Sequence, residues 1–197
     1  MKKTLPLLKN VHFIGIGGIG TSALSRWFLA HNYQVSGSDS NSSLITQGLQ
    51  KQGIKIFIGH RAKNLSKKTQ LTIRSVAVHS DNPEFKKAES LKIPIKTYAE
   101  TVGDLIKQYK TFAVSGSAGK STTSALLSLV LIKANFDPTV IVGTLLKEFK
   151  NSNFRKGKSQ YLVLEADEYH QSFLHYSPFG AIITNIDREH LDYYKNL

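Results

Sequence analysis

Two glycine-rich stretches have spacings suited to holding phosphate. Gly15-Ile16-Gly17-Gly18-Ile19-Gly20 is a G-x-G-x-x-G set between a β-branched apolar run and an amphipathic stretch. Glycine there lets the chain turn tightly and lets a diphosphate approach the N-terminus of the following helix, where N–H groups and the positive helix end attract an anion. Gly15, Gly17, Gly18 and Gly20 are the candidate contacts. Asp39 lies about twenty residues on, where an acidic side chain meets a ribose hydroxyl in dinucleotide folds. The spacing leaves NAD and a UDP-sugar as alternatives, and a turn serving only helix–strand packing as the blander one.

The second stretch is Ser115-Gly116-Ser117-Ala118-Gly119-Lys120-Ser121-Thr122. Backbone amides of such a loop cradle phosphates, a lysine ammonium reaches the β/γ oxygens, and a hydroxyl binds Mg²⁺. Val114 stands where the longer P-loop pattern has glycine, so this loop is a shortened form. Glu165-Ala166-Asp167-Glu168 closes the apolar run Tyr161–Leu164. Clustered carboxylates repel unless a cation sits between them, which suits Mg²⁺ beside phosphate. Thr184-Asn185-Ile186-Asp187 with His190 follows another apolar run; Asn185 is suited to orienting a nucleotide or substrate and a neutral His190 to ligating a metal. The remaining histidines read as structural or solvated, apart from His79, which with Ser80 ends an expected strand beside the first glycine loop.

These motifs need strands and helices to place them. Short β-branched runs alternate with amphipathic stretches, the pattern of an α/β fold with a mainly parallel sheet. Strands are expected at 11–16, 33–38, 55–58, 75–79 and 95–98, and helices at 21–31, 44–52, from Asn82-Pro83-Glu84 onward, and at 99–108. A second α/β unit then begins, with strands at 111–115, 161–166 and 181–186 and a helix at 120–134. The basic stretch 147–159 reads as a loop. About three strands make an incomplete domain.

Composition narrows the function. The 197 residues are 41 % apolar and 20 % charged, which is globular composition, and such a chain can bury about 70 % of its unfolded surface without staples. With no cysteine there is no disulfide scaffold, thiolate zinc site or cysteine nucleophile. No apolar window approaches the length of a membrane span. Met1-Lys2-Lys3 imitates a signal peptide, but Lys9, Asn10 and His12 interrupt the apolar stretch. The segment therefore reads as a lead-in to a strand and the protein as cytoplasmic. The net charge of +12 comes from scattered lysines with no run longer than two, which suits capture of polyanionic ligands better than nucleic acid. Neither nucleic acid nor membrane is expected as a partner.

Taken together and in this order, Phe13–Gly20, Gly37-Ser38-Asp39, Asn82-Pro83-Glu84, Gly116–Thr122, Glu165–Glu168 and Thr184–Asp187 with His190 resemble the N-terminal part of the Mur ligases of peptidoglycan synthesis, across nearly the whole chain. The stretch Glu168–Pro178 is most similar to the alanine-adding members, with tripeptide-adding members of cell-wall recycling as the alternative. The resemblance implies a Rossmann-like UDP-sugar-binding domain over 1–108 and an incomplete P-loop-type ATP-binding domain over 109–197. It implies UDP-N-acetylmuramic acid, L-alanine, ATP and Mg²⁺ as ligands. Gly15, Gly17, Gly18, Gly20, Asp39 and Ser80 would contact the UDP-sugar, and 116–122 (Gly116, Ser117, Ala118, Gly119, Lys120, Ser121, Thr122) the ATP. Lys120, Glu165 and His190 are the implied catalytic groups, and Ser121, Glu165 and His190 the implied Mg²⁺ ligands.

The family loop usually reads Gly-Thr-His-Gly-Lys, whereas Ser117 and Ala118 stand here, so any role of that histidine is lost. Family members are more than twice this length, so the remainder of the ATP domain and the amino-acid-binding domain are expected to be missing and the chain alone is not expected to ligate alanine. A truncated product, or a split enzyme completed by a separate chain, fits that expectation. A non-catalytic UDP-sugar-binding protein and an NAD-dependent oxidoreductase are the readings from other classes; the second leaves the Lys120 loop unexplained.

Overall fold

The computed structural model describes residues 8–188, and the chain divides into two compact units, Met1–Thr101 and Val102–Leu197. In the first unit, β1 (Asn10–Ile14), α1 (Ile19–Ala30), β2 (Gln34–Asp39), α2 (Leu44–Lys51), β3 (Lys55–Ile58), β4 (Leu71–Arg74), α3 (Pro83–Ser90) and β5 (Ile95–Thr97) succeed one another. Helix α4 (Tyr98–Ile106) contains the boundary between the units. The five strands are all parallel, in the order β3-β2-β1-β4-β5. The order reverses between β1 and β4, and ligands of open parallel sheets bind at such a switch point, beyond the strands' carboxyl ends.

Helix α1 is buried from Thr21 to Phe28, and Phe28 meets Phe13 and Tyr33 edge-on at 5.9 and 4.9 Å. Phe13, Ile14, Ile16, Leu24, Leu49, Ile54 and Ile73 complete a close-packed apolar core around β1. The helix starts are locally encoded. Ser43 and Thr46 cap α2 reciprocally, and Asn82 accepts the N–H groups of Glu84 and Phe85 ahead of Pro83 at the first helical position of α3.

One polar feature crosses this core. The Glu84 carboxylate is fully buried, and each of its oxygens has two hydrogen-bond partners. Its Oε2 lies 2.8 Å from His12 Nε2 and accepts Ser38 Oγ–H at 2.7 Å. Its Oε1 accepts Asn64 Nδ2 at 2.7 Å and the Arg61 N–H at 3.0 Å. His60 Nδ1, 3.6 Å from Oε1, is 2.9 Å from Ser38 Oγ; since the serine proton is directed to Glu84, His60 Nδ1 carries the hydrogen of that bond. Burial raises the carboxyl's pKa, but the bonds from His12, Ser38 and Asn64 together outweigh it and hold Glu84 below the usual carboxylate range.

The second unit contains β6 (Lys110–Ser115), α5 (Lys120–Lys133), β7 (Thr139–Leu146), β8 (Ser152–Arg155), β9 (Tyr161–Glu165) and β10 (Gly180–Ile183). Its sheet order is β10-β6-β9-β7-β8, parallel except for the antiparallel edge strand β8. Val140, Val142 and Val163 form a core patch under Leu127 and Leu131 of α5.

The structure corrects the expected elements in three places. The fourth strand is Leu71–Arg74 and not 75–79: Ser75 N–H still bonds Ile14 O, but Ser75 Oγ accepts the Ala77 N–H and the chain turns away. Ser80 and His79 are therefore exposed turn residues, and the residue beside the glycine loop is Ser75. Among the described residues the second sheet has five strands, not three: Thr139–Leu146 is a strand, buried over 139–142, and β8 is the fifth. The stretch expected as a loop contains β8, a polar edge strand turned back by left-handed Lys150 and Asn151. Among the described residues no helix is long and apolar enough to cross a membrane.

Because Glu84 titrates lower folded than unfolded, the stability it contributes is present above the ordinary carboxylate range and lost as pH falls through the depressed value. Glu84→Gln is expected to cost about 3 kcal/mol near neutral pH, with the gap to wild type closing below about pH 4. Urea unfolding at several pH values measures it; a gap constant with pH would show that the buried group is not an ionised carboxylate.

Candidate functional site

The first candidate site lies where β1 ends. Gly15 has φ +80°, and a Cβ there would sit 2.9 Å from Ser75 Cβ, so the turn requires glycine on both counts. The N–H groups of Gly15 and Ile16 both bond Ser38 O, at 2.9 and 3.0 Å, and Gly17 N–H bonds Asp39 Oδ2 at 2.7 Å. The loop is thus hung from the end of β2. Asp39, expected at a ribose, holds the loop itself in this structure, and Gly17 lacks the side chain that would obstruct it. Gly18 is the N-cap of α1 with no side-chain cap, and Gly20 lies in the first turn under the Tyr98 ring. An uncapped helix N-terminus at a switch point is a place for an anion. Ser80 is exposed in the turn beyond β4.

The second candidate site is assembled from three neighbouring strands. β6 is flanked by β9 and β10, with Val114 opposite Glu165 and Ser115 opposite Ile183. The 115–120 loop, the acidic run 165–168 and the segment 184–187 therefore leave the sheet side by side. Gly119, left-handed at φ +81°, is the N-cap of α5 and no side chain caps that helix. Lys120 Nζ reaches Glu168 Oε1 at 2.9 Å and Ser117 O at 3.2 Å, with the Lys120 and Glu168 side chains largely withdrawn from solvent. Ser121 Oγ–H donates to Glu165 Oε1 at 2.8 Å, and Glu165 Oε2 accepts Gly143 N–H at 2.6 Å. Thr122 is exposed on the same first turn.

The segment 184–187 clasps the loop from its other side. Asn185 pairs with the Ala118 peptide in both senses, accepting its N–H at 2.8 Å and donating to its O at 3.3 Å. Ser117 Oγ accepts Asp187 N–H at 2.9 Å, and Thr184 Oγ1 is 2.7 Å from Ala118 O. Gly116, at φ +128°, has no room for a Cβ, which would overlap Thr184 Oγ1 and approach Asn185 O to 2.8 Å.

Sequence reasoning identifies the loop, Glu165 and Asn185. It leaves out Glu168 as the lysine's partner, although the acidic run contains it, and Gly143, which no local pattern marks. His190 lies outside the described residues. Ser121 and Glu165 are hard oxygen donors held 2.8 Å apart, a set that fits Mg²⁺, whose remaining positions are ordinarily filled by phosphate oxygens and water.

The strand–loop–helix geometry, the lysine and the hydroxyl–carboxylate pair define an α/β protein with a P-loop-like turn. Residues 10–110 match the model of the Mur ligase family, catalytic domain, and residues 114–197 that of the Mur ligase middle domain. The chain belongs to the Mur ligase family. It is 47 % identical over 190 residues to a UDP-N-acetylmuramate–L-alanine ligase of Clostridium botulinum, an alignment that covers 96 % of this chain and 41 % of that relative. The structure of the UDP-N-acetylmuramate-alanine ligase from Thermotoga maritima superposes with a TM-score of 0.89 at 36 % identity, over 95 % of this chain and 44 % of that one. The UDP-N-acetylmuramate:L-alanyl-gamma-D-glutamyl-meso-diaminopimelate ligase of Neisseria meningitides shares the fold, with a TM-score of 0.86 at 24 % identity over 95 % of this chain and 63 % of that one. The chain thus spans about two-fifths of the length of the curated relatives it matches.

Gly116→Ala is expected to displace the loop from Thr184 and Asn185, lowering the stability of the second unit by about 2 kcal/mol and its affinity for ATP–Mg²⁺ at least tenfold. Thermal unfolding and calorimetric titration check this, and unchanged affinity would show that the clasp does not shape the phosphate site.

Proposed function

We propose that this chain carries the UDP-sugar and ATP sites of an enzyme that joins L-alanine to UDP-N-acetylmuramic acid in the construction of peptidoglycan precursors. The observation that carries the reading is the convergence of Lys120, Ser121 and Glu165 on one strand edge, in a chain 47 % identical to a ligase of that name. Alanine is favoured over a tripeptide because the likeness to the Neisseria meningitides ligase bears on fold alone.

In the reaction the muramyl carboxylate attacks the γ-phosphorus of ATP, giving an acyl phosphate and ADP; the uncharged amine of alanine then attacks the acyl carbon, phosphate leaves and an amide remains. A free carboxylate is a poor acyl donor, which is why ATP is consumed. Such catalysis is mainly positioning and charge neutralisation. Loop amides and the N-terminus of α5 would hold the polyphosphate. Lys120, released from Glu168, would take up the charge on the transferring phosphoryl group. Ser121 and Glu165 would hold Mg²⁺, with His190 as a further ligand. When bound, the ion supplies positive charge to the β- and γ-phosphate oxygens. In the first unit the α1 N-terminus, at Gly18 and Gly20, would take the diphosphate of the sugar nucleotide, on a loop shaped by Gly15, Gly17 and Asp39. A cytoplasmic location accords with ATP and a UDP-sugar as ligands.

Equilibrium titration of the 197-residue chain with UDP-N-acetylmuramic acid, ATP–Mg²⁺ and NADH tests the reading. Binding of the first two and not the third is expected. Lys120→Ala is expected to weaken ATP–Mg²⁺ binding at least tenfold while leaving the UDP-sugar affinity unchanged. Equal loss of both ligands would contradict two separate sites, and NADH binding would favour an oxidoreductase.

A further inference from the structure

We propose that Glu84 positions the glycine loop of the first unit for its anion, acting through Ser38 and without touching the ligand. The assignment rests on the reading of that unit as the sugar-nucleotide site. Three consecutive loop amides, those of Gly15, Ile16 and Gly17, are held by the end of β2: two by Ser38 O and one by the Asp39 side chain. Whatever fixes residues 38 and 39 therefore fixes the loop.

Glu84 fixes them from two sides. Oε2 takes the Ser38 hydroxyl proton at 2.7 Å. Oε1 takes Asn64 Nδ2 at 2.7 Å; the same Asn64 amide group bonds Gly59 O at 2.9 Å, and Gly59 N–H returns to Asp39 O at 2.7 Å. The contacts close a ring, Glu84–Asn64–Gly59–Asp39–Ser38–Glu84, around the carboxyl end of β2. His12 Nε2 on β1 and the Arg61 N–H brace the carboxylate at 2.8 and 3.0 Å. Both oxygens receive donors, so the ring needs an acceptor at each. Glutamine presents an NH₂ group to one pair of donors and breaks one side. For the Ser38 hydroxyl to accept that NH₂, its proton must leave the Glu84 position, either losing its acceptor or turning to His60 Nδ1, which must then move its own hydrogen to Nε2. A group that served only cohesion would hold all of β1 alike. This one converges on the residues whose carbonyl and side chain carry the loop.

The experiment pairs amide hydrogen exchange by NMR with calorimetric titration of UDP-N-acetylmuramic acid and of ATP–Mg²⁺, on the full chain with Glu84→Gln and Ser38→Ala. Ser38→Ala keeps the backbone carbonyl and the other three bonds of Glu84, so it reports on the relay even where Glu84→Gln fails to fold. Exchange of Gly15, Ile16 and Gly17 is expected to quicken at least tenfold relative to Val11 and Phe13 in β1. Affinity for the sugar nucleotide is expected to fall at least tenfold in Glu84→Gln and about threefold in Ser38→Ala, with ATP–Mg²⁺ affinity unchanged. Glu84→Asp, which keeps the charge on a shorter arm, is expected to recover part of the loss. Uniform quickening along β1, or wild-type exchange and affinity in Ser38→Ala, would overturn the assignment. Should the wild-type chain not bind UDP-N-acetylmuramic acid, the sugar-nucleotide reading falls, and the exchange pattern still decides whether Glu84 sets the loop.

Discussion

Parallel pairing of β10, β6 and β9 brings three separate stretches of chain out of the sheet at one edge. Parallel strands all end on the same side, so the residue after each strand becomes a neighbour of the residue after the next. Ser121 is thereby set against Glu165, Lys120 against Glu168, and the Ala118 peptide against Asn185, although none of these pairs is close in sequence. The sheet supplies the distances and the side chains supply the chemistry. Without that register the lysine and the carboxylates would be surface charges of little consequence.

Both loops meet the same difficulty by different means. A chain that turns sharply beyond a strand exposes peptide groups that must be satisfied in a fixed geometry. In the first unit the acceptors come from the end of a neighbouring strand, which is stiffened by a buried carboxylate and its donors. In the second they come from the segment following β10, whose Asn185 side chain mimics a peptide partner. The two solutions differ in their sensitivity to acid. The first depends on an ionised Glu84, whereas the second depends on amide and hydroxyl groups that do not titrate.

Much of this is legible in the chain because glycine loops flanked by an apolar run and a helix-forming run are local signals. Gly15–Gly20, Gly116–Lys120 and the acidic run after Tyr161–Leu164 all declare themselves within ten residues. The β4 register does not, since Leu71–Arg74 and 75–79 are comparably β-branched and only pairing with β1 selects between them. β7 escapes the pattern reading although Thr139–Leu146 is strongly apolar, and β8 is hidden because its buried residues, Ser152 and Asn153, are polar and lie within a basic stretch. The Glu84 ring is invisible for a different reason. Its side-chain partners stand between 20 and 72 residues away in the chain, and no periodicity encodes such a meeting.

At Ala118 the loop is gripped by its peptide group and not by its side chain. The contacts to Asn185 and Thr184 are made by backbone N–H and O, while the methyl group faces solvent. Selection acting on that loop can exchange the residue here, even a histidine for an alanine, without disturbing the grip. Two positions earlier the same selection has no latitude, because at Gly116 the neighbouring segment occupies the space where any other side chain would begin.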